Sequence, residues 1–185
     1  MSDHDDDRSL VECAIGIASE AHAREWRKGK NGLPYMVHIY DIMRFARKIG
    51  IPTSDTDVYQ AIALHDTVES GLPIGIIKTL LPQIVPVVEE LTFLGTPEEK
   101  PDYLASFAGK SVVALVVKVM DRICNVWDFY DDGDREYARK YLQKASELWM
   151  AAYARRSEII DRFGQAVWDN LSWEYDHVSN MTDEY

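Results

Sequence analysis

Three stretches of the chain carry side chains able to hold a metal ion and to act beside it. The run His65-Asp66-Thr67-Val68-Glu69 follows the apolar stretch Ala61-Ile62-Ala63-Leu64. Upstream, Pro34-Tyr35-Met36-Val37-His38 brings a His onto an apolar-periodic segment, and downstream Lys118-Val119-Met120-Asp121-Arg122-Ile123-Cys124-Asn125 sets an Asp inside a strongly apolar one. A single His-Asp pair arises by chance in many chains of this length and usually marks a helix surface. Three separated segments that each offer ligand-type groups are far more specific. Mixed imidazole and carboxylate donors suit manganese, iron or zinc better than the all-oxygen preference of magnesium or calcium, and manganese is the first expectation.

Spacing says how helices would present these groups. An α-helix turns about 100° per residue, so a helix through the His65 run stacks His65 and Glu69 on one face with Asp66 a quarter-turn away. It would supply two ligands and an acid/base. Asp121 and Asn125 are also four apart, with Lys118 one turn earlier, on a segment whose other faces carry Val112, Val113, Val116, Met120, Ile123 and Trp127. A polar line between apolar ones points inward for a reason.

The elements that must position these residues read as helices. Residues 8–29 are amphipathic, with Leu10, Cys13, Ala14, Ile17, Ala18 and Ala21 at helical spacing, and Gly29, Asn31, Gly32 and Pro34 end the pattern. Helices follow at 36–49, stopped by Gly50 and Pro52, and at 55–69, opened by Ser54 or Asp55 and closed near Gly71-Leu72-Pro73. Pro82 and Pro86 divide 74–94 into two short helices before a loop from Gly95 to Pro101 placed to cover the site. Helices at 109–128, 134–156 and 157–172 complete an all-α chain. A single domain over 8–172 lies between acidic tails at 1–7 and 173–185, the first expected to be disordered.

At 185 residues the chain can form a core without staples. Cys13 and Cys124 sit within helical patterns without metal-type spacing, which fits a reducing compartment and a cytoplasmic protein. No run reaches the roughly 20 apolar residues of a membrane span, and the acidic start is unlike a signal peptide. The net charge of −11 argues against nonspecific nucleic-acid binding. Residues 1–7 and 174–185 each hold four acidic residues and no Lys or Arg, so the body is nearly balanced. Arg24, Arg27, Lys28 and Lys30 can still attract a nucleotide locally, and Trp26 and Tyr35 beside them offer rings to a base. Arg135, Arg139, Lys140 and Lys144 recur at helical spacing, Lys140 and Tyr141 being the candidates there for substrate contact. Leu148, Trp149, Ala152, Ile159, Ile160, Phe163, Val167 and Trp168 form more apolar surface than one packing layer needs, which suggests a homo-oligomer.

Taken together, the three blocks resemble the HD-domain metal-dependent phosphohydrolases, and within them the (p)ppGpp hydrolase domain of RelA/SpoT-type enzymes and their small stand-alone relatives. The resemblance covers about residues 10–130. The family's His followed by Arg-Lys and Pro-Tyr-x-x-His is matched by His22, Arg27, Lys28 and Pro34 to His38. Its His-Asp-x-x-Glu-Asp block is matched by His65, Asp66 and Glu69, and its Lys-x-x-Asp-Arg-x-x-Asn block by Lys118, Asp121, Arg122 and Asn125. The resemblance implies an HD-type helical bundle in which His38, His65, Asp66 and Asp121 bind one metal. It also implies that Arg27, Lys28, Tyr35, Lys118 and Arg122 approach the nucleotide, and that Glu69, Ser70 and Asn125 lie at the reacting centre.

Two departures stand out. Ser70 replaces the acidic residue that follows the Glu in the family, removing one carboxylate. The longer connection Gly29-Lys30-Asn31-Gly32-Leu33 reshapes the rim where the family recognises its base. The implied reaction is removal of the 3′-pyrophosphate of (p)ppGpp by a metal-activated water that Glu69 orients or deprotonates. Three alternatives stay open: the same chemistry on another nucleotide such as NADPH, a nucleoside monophosphate or a deoxynucleoside triphosphate; a catalytically weak nucleotide sensor; and a helical adaptor whose histidines are satisfied in the core.

Overall fold

The computed structural model describes residues 3–28 and 32–183, with side chains over 8–28 and 32–181. Gly29, Lys30 and Asn31, three of the five residues of the lengthened connection, lie outside the described residues. The described residues are helical with no strand, the one β-type feature being an antiparallel bridge between Trp26 and Pro34.

Among the described residues ten α-helices follow in order: α1 Asp3–Ala21, α2 Met36–Ile49, α3 Thr56–Leu64, α4 Ile74–Leu80, α5 Val85–Leu91, α6 Lys100–Ala105, α7 Val112–Asp131, α8 Arg135–Ala154, α9 Arg156–Phe163 and α10 Gln165–Asp183. At the centre lies α7, buried without interruption from Ala114 to Val126 and packed against α2, α3, α5, α8 and α10. Ser111 opens it, its hydroxyl accepting the Ala114 amide at 3.2 Å. On α2, Ile39, Ile42, Met43, Phe45, Ala46 and Ile49 turn one face to the core. That helix ends in a Schellman motif: Gly50 takes a left-handed φ of 104°, its amide donates to Arg47, and the Ile51 amide donates to Ala46 at 3.0 Å.

Several helix limits depart from those the spacing predicts. α1 stops at Ala21 rather than running to 29. The chain turns back because His22 and Arg27 are buried and find partners on other elements, and because Gly32 and Pro34 close the bridge to Trp26. α3 stops at Leu64 rather than 69, where side chains intercept its last carbonyls: His65 Nδ1 donates to Ile62 O at 2.8 Å and Thr67 Oγ1 to Leu64 O at 2.9 Å. His65 and Glu69 therefore stand on a turn, not on one helical face.

Residues 95–101 are not a plain loop. A capping box, with the Thr96 amide donating to Glu99 Oε2 at 2.7 Å, starts a 3₁₀ turn that leads into α6. The predicted helix over 157–172 is split at Gly164, whose φ is 91°. α10 then continues to Asp183 with Glu174 and Val178 buried, so the chain beyond 172 is part of the bundle rather than a tail. Likewise α1 begins at Asp3, inside the expected N-terminal tail. Much of the apolar surface on the last helices closes internally, Trp149 stacking on Trp168 and on Tyr175. No helix of the described residues is long and apolar enough to cross a membrane.

Candidate active site

Three elements converge on one buried point. α2 presents His38 from its first turn, the turn after α3 presents His65 and Asp66, and α7 presents Asp121. One donor atom each from His38, His65 and Asp121 lie within 4.8 Å of one another, and all three residues are buried. His38 Nε2 is 3.0 Å from Asp121 Oδ1. His65 Nε2 is 3.8 Å from the same oxygen and 3.1 Å from Asp66 Oδ2, so Asp66 stands beside the three-residue cluster and completes its rim.

The chemistry of His65 tests whether a metal belongs there. A carbonyl only accepts, so the hydrogen bond from Nδ1 to Ile62 O places the proton on Nδ1 and leaves Nε2 with its lone pair. That buried Nε2 has no hydrogen-bond partner and faces carboxylate oxygens that cannot donate. An unpartnered imidazole nitrogen facing carboxylate oxygens is arranged for a cation, and a divalent metal fits.

Electrostatics agree. Burial pushes the Asp121 carboxyl up, but Lys118 at 3.0 Å and the His38 contact outweigh it and hold Asp121 well below the usual carboxylate range. Burial likewise opposes the Asp66 charge, and His65 and Lys118 overcome it. For His65, burial disfavours protonation, yet Asp66 and Asp121 raise its pKa on balance, whereas burial prevails at His38 and lowers it. The negative field that draws a proton toward His65 is the field that would hold a metal ion.

A supporting layer fixes these groups. Asn125 Nδ2 donates to Asp121 Oδ1 at 2.6 Å and to the Asp121 carbonyl at 2.8 Å. Arg27 donates to Asn125 Oδ1 at 2.9 Å and pairs with Asp128. Its guanidinium is thus held by Asn125 and Asp128, while the residue also lines the cavity that opens above the cluster. Tyr35 donates its hydroxyl to Asp66 and stacks on His22 at 4.3 Å, so it orients Asp66 from a place on the cavity lining.

Above the cluster opens a cavity of about 450 Å³. Its walls include Glu25, Trp26, Lys28, Asp66, Glu69, Lys118, Asp121, Arg122 and Asn125. Glu69 is held by the Phe93 amide, which donates to Oε1 at 2.8 Å, and burial followed by the charge of Asp66 raises its pKa. Ser70 does not line this cavity; its hydroxyl faces His22 and Glu25.

Lys100, Phe129, Tyr141 and Lys144 also line the wall, beyond the three sequence blocks. Lys100 was legible only as a member of a covering segment, and burial lowers its pKa to about 8. Tyr141 is one of the two α8 residues singled out in the sequence for substrate contact. The other, Lys140, instead pairs with Glu136 at 2.7 Å on the exposed face, and Lys144, one turn on, takes the cavity position. A larger cavity of about 840 Å³ between α2, α7 and α10 is lined by Phe45, Trp127 and Trp173 and holds none of the cluster's donors. Size alone would have misplaced the site.

No family model matches the chain. It is 31% identical over 151 residues to the guanosine-3′,5′-bis(diphosphate) 3′-pyrophosphohydrolase MESH1 of Xenopus tropicalis, an alignment covering 77% of this chain and 84% of that protein. A solved structure, described as a metazoan orthologue of SpoT that hydrolyses ppGpp and plays a role in starvation responses, superposes with a TM-score of 0.75 at 20% identity. The match covers 95% of this chain and 97% of that one and establishes likeness of fold.

Proposed function

The chain belongs to the RelA/SpoT-type HD hydrolase family, and on that premise we propose that it removes the 3′-pyrophosphate of guanosine-3′,5′-bis(diphosphate), giving GDP and pyrophosphate. The observation that carries this reading is the buried His38, His65 and Asp121 cluster at the floor of a cavity walled by Lys28, Lys100, Lys118, Arg122 and Lys144. A metal nest under a cationic wall suits a polyphosphate substrate.

His38, His65, Asp66 and Asp121 would hold one divalent ion, with manganese our first assignment from the mixed nitrogen and oxygen donors. Bound there, such an ion supplies Lewis acidity and lowers the pKa of a water toward neutrality. Asn125 and Tyr35 keep the Asp121 and Asp66 carboxylates in place. Glu69, exposed on the cavity wall, orients the attacking water and takes its proton. As the new oxygen–phosphorus bond forms and the bond to the 3′-oxygen breaks, Lys118, Arg122 and Lys100 neutralise charge gathering on the phosphoryl oxygens. The departing 3′-oxygen takes a proton from solvent. We assign the reaction to the cytoplasm, in keeping with Cys13 and Cys124, which lie on separate helices, α1 and α7.

The test is release of phosphate and pyrophosphate by manganese-loaded protein from ppGpp, pppGpp, NADPH and the common nucleotides, with Asp121→Ala as the blank. GDP and pyrophosphate from ppGpp are expected. Turnover of another nucleotide alone would replace the substrate, and bound metal without turnover would replace the enzyme reading with that of a nucleotide sensor.

A further inference from the structure

The hydroxyl of Ser70 donates to Glu25 Oε2 at 3.1 Å and lies 3.2 Å from His22 Nδ1. His22 Nδ1 meets the same Glu25 oxygen at 2.8 Å. Because a carboxylate can only accept, Nδ1 carries the imidazole proton, and both neighbours donate to Glu25. In a nucleophilic triad the imidazole stands between hydroxyl and carboxylate and takes the hydroxyl proton. Here that order is broken, so Ser70 is not an activated nucleophile. The group instead fixes a carboxylate.

Glu25 is pinned through its backbone as well. Its carbonyl accepts the Tyr35 amide at 3.0 Å beside the Trp26–Pro34 bridge, and its amide donates to His22 O at 3.0 Å. His22 is buried and stacks on Tyr35, whose hydroxyl holds Asp66. The Glu25 side chain, 38% exposed, lines the same cavity as Glu69 and Asp66, and Ser70 does not. The carboxylate that is absent at position 70 is therefore present within hydrogen-bonding distance of position 70, on the cavity wall.

Resting on the hydrolase reading above, we propose that Glu25 is the second carboxylate of this active site. Carboxylate and small polar partner have exchanged places across the contact between the 22–35 segment and the 65–71 turn. Glu25 accepts a hydrogen bond from the attacking water and positions it, which leaves Glu69 to take the proton. Ser70 and His22 are the donors that aim Glu25.

A four-protein cycle tests this: wild type, Glu25→Gln, Ser70→Asp and the double variant, each assayed manganese-loaded with ppGpp and with bis(4-nitrophenyl) phosphate. Glu25→Gln should lower kcat about a hundredfold with KM and bound manganese little changed. The double variant should recover most of that loss. Ser70→Asp alone should lower Tm by setting two carboxylates side by side, and the same change in the Glu25→Gln background should not. Unchanged kcat in Glu25→Gln, a double variant no better than Glu25→Gln, or an equal Tm effect of Ser70→Asp in both backgrounds would each overturn the proposal. Wild-type turnover of the synthetic diester without turnover of ppGpp would sink the alarmone reading while leaving the kcat cycle legible. The Tm cycle decides the exchange even in a protein that hydrolyses neither.

Discussion

The Lys118 ammonium lies 3.0 Å from Asp121 Oδ2, the carboxylate oxygen that His38 does not use. Asp121 is thereby divided: Oδ1 faces His38, His65 and Asn125, and Oδ2 faces a buried cation. Removing one member of a fully buried ion pair leaves its partner uncompensated, at about 3–5 kcal/mol. Lys118→Met should accordingly lower the Tm of metal-free protein by roughly 6–20 °C for a chain of this size. Manganese returns positive charge to the same carboxylates, so its addition should narrow the gap to wild type. Equal Tm differences with and without manganese, followed by differential scanning fluorimetry, would contradict this division of the carboxylate.

Ligand and base can be separated by substitution. Asp121→Ala and His65→Ala should lose bound metal and turnover together, measured by elemental analysis and pyrophosphate release. Glu69→Gln should keep the metal and lose about 10²–10⁴ in kcat, the usual worth of general-base help. Wild-type kcat in Glu69→Gln would remove that residue from its role.

Two shifted groups set opposite limbs of the pH profile. Glu69 must be ionised to accept a proton, and burial raises its pKa. Activity should therefore fall on acidification at a pH above that of an ordinary glutamate. Lys100 contributes only while protonated, and with its pKa lowered to about 8 its charge is lost as pH rises through that value. The quantity kcat/KM, which reports the free enzyme, should decline above about pH 8. Lys100→Arg keeps the charge at all working pH values and should move that decline upward; an unmoved alkaline limb would exclude Lys100 from phosphate binding.

Gly50 closes α2 at a φ of 104°, a conformation an L side chain adopts at a cost of about 1–2 kcal/mol. Gly50→Ala should lower stability by that amount in urea melts, leaving m-values and metal content unchanged. A neutral result would mean that the α2 end relaxes away from the left-handed geometry.

The candidate metal donors were legible in the sequence because their residue types are scarce in apolar segments and their blocks carry fixed spacing. His38, His65 and Asp121 converge in the fold, and Asp66 lies beside His65. What spacing could not show was backbone decided by local capping. A helical run through 55–69 reads continuously, yet His65 and Thr67 turn onto the carbonyls behind them and end α3. Lys100 and Lys144 were visible only as members of a covering segment and of a basic run: they reach the cavity through the packing of α6 and α8, and nothing in their immediate neighbours sets them apart from solvated lysines. Arg27 was found by type, but its partners Asn125 and Asp128, about a hundred residues away, could not be read from spacing.

The polar line on α7 ties the fate of the chemistry to the fate of the fold. Lys118, Asp121, Arg122 and Asn125 are buried on the same helix whose Leu115, Val119 and Ile123 fill the core. A lineage that abandoned hydrolysis would inherit opposite charges locked in the interior, where losing either alone is worse than keeping both. Its escape route is narrow: Lys118 and Asp121 must be replaced as a pair. Surviving charges at those two positions thus mark structural debt as readily as living catalysis, and the cavity-facing carboxylates, Glu69 and Glu25, are the places where a loss of activity would first be written.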